Sequence, residues 1–143
     1  MSLFEKAGGE SALRRILDDF YVRVFADPMI GFFFRNQDRD RLVELEYQLT
    51  AKMLGAEVEY KGRSIRQAHG AHPIMKGQFL RRNRILEDTL AAHHVDDEVV
   101  EVWMAHSRAL EAAVVGRASN SPHCDEQRVS TGKKNPNNGV MEY

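Results

Sequence analysis

With 143 residues, and 20 lysines and arginines against 21 aspartates and glutamates, the chain is nearly balanced in charge and carries no sequence-wide attraction for nucleic acid or an acidic membrane. A single cysteine, Cys124, excludes an internal disulfide framework and a multi-cysteine zinc site, and the expected compartment is the reducing cytoplasm. The first twenty residues mix charge with apolar side chains and no apolar run could span a bilayer, so neither export nor integral membrane association is expected. The length suits one domain that removes roughly two thirds of its unfolded surface from water.

In chain order, a segment at 3–7 can form at most a turn or two of helix before the flexible pair Gly8 and Gly9. Leu13, Ile16, Leu17, Phe20, Tyr21 and Val24 then recur at the period of one buried helix face, and Asp27 with Pro28 ends that helix. Phe32, Phe33 and Phe34 fall in a connecting corner. A second helix is predicted over about 38–54, with Leu42, Leu45, Leu49 and Met53 on its stripe, Glu46 beside it and Gly55 at its end. Between Gly55 and Ile74 the pattern is broken by Gly62, Gly70 and Pro73, leaving room for a short helical stretch at 64–69.

A third long helix is predicted over about 75–93, with Phe79, Arg82, Leu86 and Leu90 along one side. A fourth starts at Asp96 as N-cap and carries Val99, Trp103, His106, Leu110 and Val114 at helical spacing. After Gly116 the apolar period stops in favour of serine, asparagine, glycine, proline and charge. Residues 1–116 therefore read as the folded domain and 117–143 as a disordered tail. No strand pattern competes, and the fold class is all-α.

The histidines are the first candidates for chemistry. His69 is followed by Gly70 and sits at the end of the short turn carrying Ile65 and Ala68, where an imidazole could ligate an iron cofactor or simply bond to backbone. His69 and His72 could also present two imidazoles to a metal without such a cofactor, although no HExxH or matching carboxylate accompanies them. His93 and His94 close a helix, where imidazole stabilises exposed carbonyls. His106 reads as a satisfied core histidine, and His123 and Cys124 fall in the tail. Tyr21, on an inner stripe, must find a partner for its hydroxyl, either in the backbone or within a pocket. The phenylalanine corner is either core or a stacking surface for a flat cofactor, and Lys61 and Arg66 either pair with anionic groups of that cofactor or are solvated.

Four stretches, LFEKAGGESAL, DDFYVRVFADPMIGFFF, YKGRSIRQAH and HPIMKGQF, together resemble the group I truncated haemoglobins, and the match needs no gap from Leu3 to Phe79. The stretch on to Gly116 fits in length and pattern. The resemblance implies a truncated globin fold, a two-over-two helical sandwich around haem. It makes His69 the proximal iron ligand, Tyr21 the distal hydroxyl, Phe34 the ring against the haem and Phe33 its neighbour. Leu42, Leu45, Glu46 and Leu49 would face the ligand from the distal helix, and Ile74 and Phe79 would line the proximal side. The chain departs from the pattern at Leu42, Leu45 and Glu46, where relatives often carry glutamine or histidine, and it has no distal-helix histidine to serve as an internal sixth ligand.

The implied cofactor is haem b, iron protoporphyrin IX, held without covalent attachment because no CxxCH is present. The implied ligands are oxygen, nitric oxide and carbon monoxide, and the implied assembly is a monomer or weak oligomer. Nitric oxide dioxygenation, with Tyr21 and Glu46 in the distal site and an outside reductase, is the expected activity. Oxygen storage or sensing is the alternative on the same fold, and a helical metal-binding or interaction module using His69 and His72 is the alternative outside it.

Overall fold

The computed structural model describes residues 1–63 and 74–115. The predicted short helix at 64–69 with Arg66 and His69, the nearby His72, and the predicted tail at 117–143 with His123 and Cys124 lie outside the described residues.

Helix α1 spans Leu3–Lys6 and is opened by a reciprocal cap: Glu5 N–H donates to Ser2 Oγ at 3.1 Å, and Ser2 N–H donates to Glu5 Oε1 at 3.0 Å. Gly8, at φ 105°, turns the chain through the left-handed region into α2, Gly9–Ala26. A Cβ at Gly8 would also come within 2.5 Å of the Ala12 Cβ. The predicted stripe of α2 is its buried face, from Leu13 to Val24. Asp27 ends this helix, and its Oδ2 accepts the backbone N–H of Met29 at 2.9 Å and of Ile30 at 3.1 Å, shaping the corner. There Gly31 lies so close to the Phe25 carbonyl that a Cβ would approach it to 2.6 Å, and a 3₁₀ turn follows over Gly31–Phe34.

Asp38 caps α3, Arg39–Met53, by accepting from Asp40 N–H at 3.0 Å and Arg41 N–H at 3.3 Å. Helix α4 spans Lys76–Ala92, and His93 just beyond it meets Asp19 of α2, Nε2 to Oδ2, at 2.8 Å. Asp96 caps α5, Asp97–Ala109, by accepting from Glu98 N–H at 2.9 Å. The continuous fourth helix expected as far as Val114 is interrupted. The chain closes at Leu110 and restarts as a single turn, α6, Glu111–Val114. This redirection brings the Val114 carbonyl to Ile74 N–H at 3.4 Å, where Ile74 and Val115 form an isolated parallel bridge.

Helix α2 packs against α3 and α4, and α4 packs against α5. Among the described residues no strand is present. The core between these helices gathers Phe20, Leu17, Leu86, Leu90, Val99 and Trp103, each nearly or wholly removed from water. Such side chains contribute about 1.5–3 kcal/mol apiece on burial, so the core far outweighs the exposed ion pairs such as Arg84 with Asp88. No described helix is long and apolar enough to cross a membrane.

Candidate functional site

The packing of α2 against α4 leaves a narrow apolar cleft between them. Helix α2 contributes Phe20, Tyr21 and Val24, and the corner after it contributes Ile30, Phe33 and Phe34. The facing wall is Ile74, Gln78, Phe79 and Arg82, with Leu110 and Val114 from the broken end of the fourth helical stretch. The break at Leu110 thus serves the cleft.

The rings are arranged edge to face. Tyr21 meets Phe20 at 5.0 Å between centroids and Phe34 at 6.3 Å, with interplanar angles of 71° and 72°. Phe34 is buried, whereas Phe33 is half-buried and stacks on the exposed Phe32 at 4.3 Å. Gln78 spends its side-chain oxygen on Met75 N–H at 2.9 Å, which ties the start of α4 to the residue before it.

Polar groups gather on one side of these rings. The Tyr21 hydroxyl donates to Glu46 Oε1 at 3.1 Å, and both residues are almost completely buried. Burial, and next the charge of Glu46, push the Tyr21 phenol well above its ordinary pKa, so it remains a protonated donor. The other carboxylate oxygen of Glu46 accepts from Thr50 Oγ1 at 3.4 Å and lies 3.5 Å from Arg82 Nη2. Arg82 Nη1 donates to Ser107 Oγ at 2.7 Å and to Asn83 Oδ1 at 3.2 Å, and Ser107 Oγ donates to the same Asn83 oxygen at 2.8 Å. The Arg82 guanidinium also lies 5.1 Å from the centre of the Phe20 ring.

Of the residues singled out from sequence, Tyr21, Phe33, Phe34, Ile74 and Phe79 line the cleft, and Glu46 joins it through Tyr21. Leu42 and Leu45 are buried under α3 without lining it. Leu42 belongs to the main core, and Leu45 packs over Gly62, where an added Cβ would come within 2.9 Å of its Cδ2. Leu49 is half-buried, and Tyr47, Thr50 and Ala51 take the buried positions around it. His106 departs from the expected satisfied core histidine: its Nε2 is buried with no hydrogen-bond partner among the described residues, and burial lowers its pKa. Arg82 and Asp27 were not singled out. The spacing of Arg82 from Phe79 and Leu86 had already put it on the inward side of its helix, which was the available signal.

An apolar cleft walled by phenylalanines, with a hydroxyl and a guanidinium beside it, has the lining chemistry of a site for a flat, largely apolar cofactor. Among the described residues no cluster of histidine, cysteine and carboxylate could hold a bare metal ion.

A family model described as bacterial-like globin matches residues 2–115. A group 1 truncated haemoglobin of Tetrahymena pyriformis is 32% identical over 102 residues, covering 69% of this chain and 82% of that protein. One from Mycolicibacterium paratuberculosis is 32% identical over 99 residues, covering 69% and 73%. The crystal structure of the T. pyriformis truncated haemoglobin in its Fe(III) form has a TM-score of 0.73 at 27% identity and covers 81% of this chain and 99% of its own. The chain belongs to the group 1 truncated haemoglobins, haem-binding globins with the two-over-two helical sandwich.

Proposed function

We propose that this globin holds haem b in the cleft without a covalent bond, binds oxygen and nitric oxide there, and converts nitric oxide to nitrate with an electron from an outside reductase. Nitric oxide, oxygen and one electron together balance one nitrate ion. When bound, the haem supplies the iron at which the gases bind and through which the electron passes. His69 is the proposed iron ligand. It precedes Ile74, which lines the cleft, by five positions, and that length of chain reaches at most about 18 Å. Phe34 and Phe33 would give the cofactor its stacking surface, Ile74 and Phe79 would close the opposite side, and Arg66 would meet its carboxylates.

The observation that carries this reading is the Tyr21 hydroxyl, buried at the wall of an apolar cleft and bonded to Glu46 at 3.1 Å. A phenol has one proton, and while Glu46 accepts it little is left to hold a gas molecule in place. Oxygen held without that hydrogen bond is poorly retained, which argues against long-term storage. The test is anaerobic reduction of the haem-loaded protein, addition of oxygen, and measurement of nitric oxide consumption and nitrate yield in the presence of a reductase. Stoichiometric nitrate over repeated cycles supports the reading, and oxygen binding without nitrate favours storage or sensing.

A further inference from the structure

The corner after α2 is stiff in itself. Asp27 Oδ2 accepts two of its backbone N–H groups, and Gly31 lies against the Phe25 carbonyl, so residues 27–34 swing as one body on the end of α2. One ion pair fixes that body to the facing helix. Asp27, with a side chain 4% exposed, accepts both Nε and Nη2 of Arg81 on its Oδ1. Among the described residues no other side-chain hydrogen bond or ion pair joins the corner to α4. Because its carboxylate is buried and hydrogen-bonded on both oxygens, this pair is better held than an exposed one such as Arg84 with Asp88.

The pair stands beside the mouth of the cleft. Phe33 on the corner and Gln78 on α4 are lining residues that keep part of their surface in water. Arg81 follows Gln78 by about one turn of α4, and Asp27 opens the corner that carries Phe33. A flat cofactor cannot pass between walls joined at their rim, so it leaves only while the join is open.

We propose that the Asp27–Arg81 pair is a clasp on the cofactor cleft: it must part for haem to enter or leave, and it thereby sets how long haem is held. Neither residue lines the cleft, and both are positioning residues that act through Phe33 and Phe34. This rests on the haem-globin reading above.

The experiment loads the full-length protein with ferric haem and follows its transfer to an excess of a haem-free acceptor globin by the change in the Soret band. Arg81→Met should speed haem loss about fivefold, the upper range for one partly exposed ion pair, and Arg81→Lys, which keeps the charge, should fall between. Arg84→Met, which breaks an exposed pair on the same helix, should lose haem at the wild-type rate. Salt at about 1 M should speed loss from wild type and leave Arg81→Met unchanged. In an Asp27→Asn background Arg81→Met should add nothing, because the partner through which it acts is gone. Urea separates clasp from fold: opening one corner exposes little surface, so haem loss should depend on urea far less steeply than unfolding of the same protein does.

Haem loss at the wild-type rate in Arg81→Met would overturn the proposal. An equal acceleration by Arg81→Met with Asp27→Asn present, or a urea dependence of haem loss as steep as that of unfolding, would overturn it as well. Should Asp27→Asn not fold, the salt series on wild type and Arg81→Met carries the same test. A wild type without a Soret band marks failure of the globin reading and takes the proposal with it, whereas a Soret band with unchanged loss rates marks failure of the clasp alone.

Discussion

Arg81 of α4 reaches Asp27 at the corner after α2, with Nε 2.9 Å and Nη2 2.7 Å from the same carboxylate oxygen. The other oxygen of Asp27 accepts the two backbone N–H groups that shape the corner. One carboxylate therefore joins the segment carrying Phe33 and Phe34 to the helix carrying Phe79 and Arg82, the two walls of the cleft. The Arg81 guanidinium, foremost, holds the Asp27 carboxyl below the usual carboxylate range.

Because the folded-state pKa of Asp27 is depressed, its contribution is present above the unfolded value of about 3.9 and is lost as pH falls through the folded value. Asp27→Asn should be less stable than wild type at neutral pH, and the gap should close in acid. Urea unfolding of both proteins from about pH 7 down to about pH 3 checks this. A gap independent of pH would show that the ionised form of Asp27 contributes nothing.

Tyr21→Phe removes a hydrogen bond to a buried carboxylate that keeps Thr50 and Arg82 as neighbours. The expected loss of stability is about 1.5 kcal/mol, at the low end for a bond to a charged group. Since the folded phenol titrates well above its ordinary value, alkaline tyrosinate absorbance recorded before unfolding should be the same in wild type and Tyr21→Phe. A missing tyrosinate step in the variant would mean that Tyr21 ionises in the folded protein and is not bonded as described.

The fold was legible wherever one helix decides its own pattern. The stripe from Leu13 to Val24 is the buried face of α2, and Asp96 caps the helix it precedes. The break at Leu110 was not legible, because Leu110 and Val114 continue the stripe of Trp103 at helical spacing while the chain itself turns to meet Ile74. Tyr21 and Glu46 could be singled out from sequence, but their environment could not be read from their own helices. One neighbour of Glu46 across the interface is a guanidinium from α4, held there by Ser107 of α5. Leu42, Leu45 and Leu49 satisfy the same periodicity as cleft residues would, and periodicity does not say which part of a core a face meets.

His106 has a buried Nε2 without a partner among the described residues, and burial, foremost, lowers its pKa. The unfolded chain binds a proton at this residue below about pH 6.5, before the folded protein does, so wild-type stability should fall as pH drops from there toward the folded value. His106→Leu should remove that part of the acid sensitivity and be the more stable protein at about pH 5. Thermal melts of both proteins across this range measure it, and parallel pH profiles would contradict the assignment.

Residues 117–143 are proposed to lie outside the folded domain, having too little apolar surface to offset the entropy of ordering them. Removing them should leave helical circular dichroism, melting temperature and haem affinity unchanged. A large fall in melting temperature would show that this segment packs on the globin.

His69 is proposed to tie haem into the cleft, and an absorbance titration of haem into wild type, His69→Ala and His72→Ala separates the two histidines. One haem per wild-type chain is expected, with a five-coordinate ferrous spectrum that is lost in His69→Ala and kept in His72→Ala. A spectrum that survives His69→Ala and disappears in His72→Ala would contradict it.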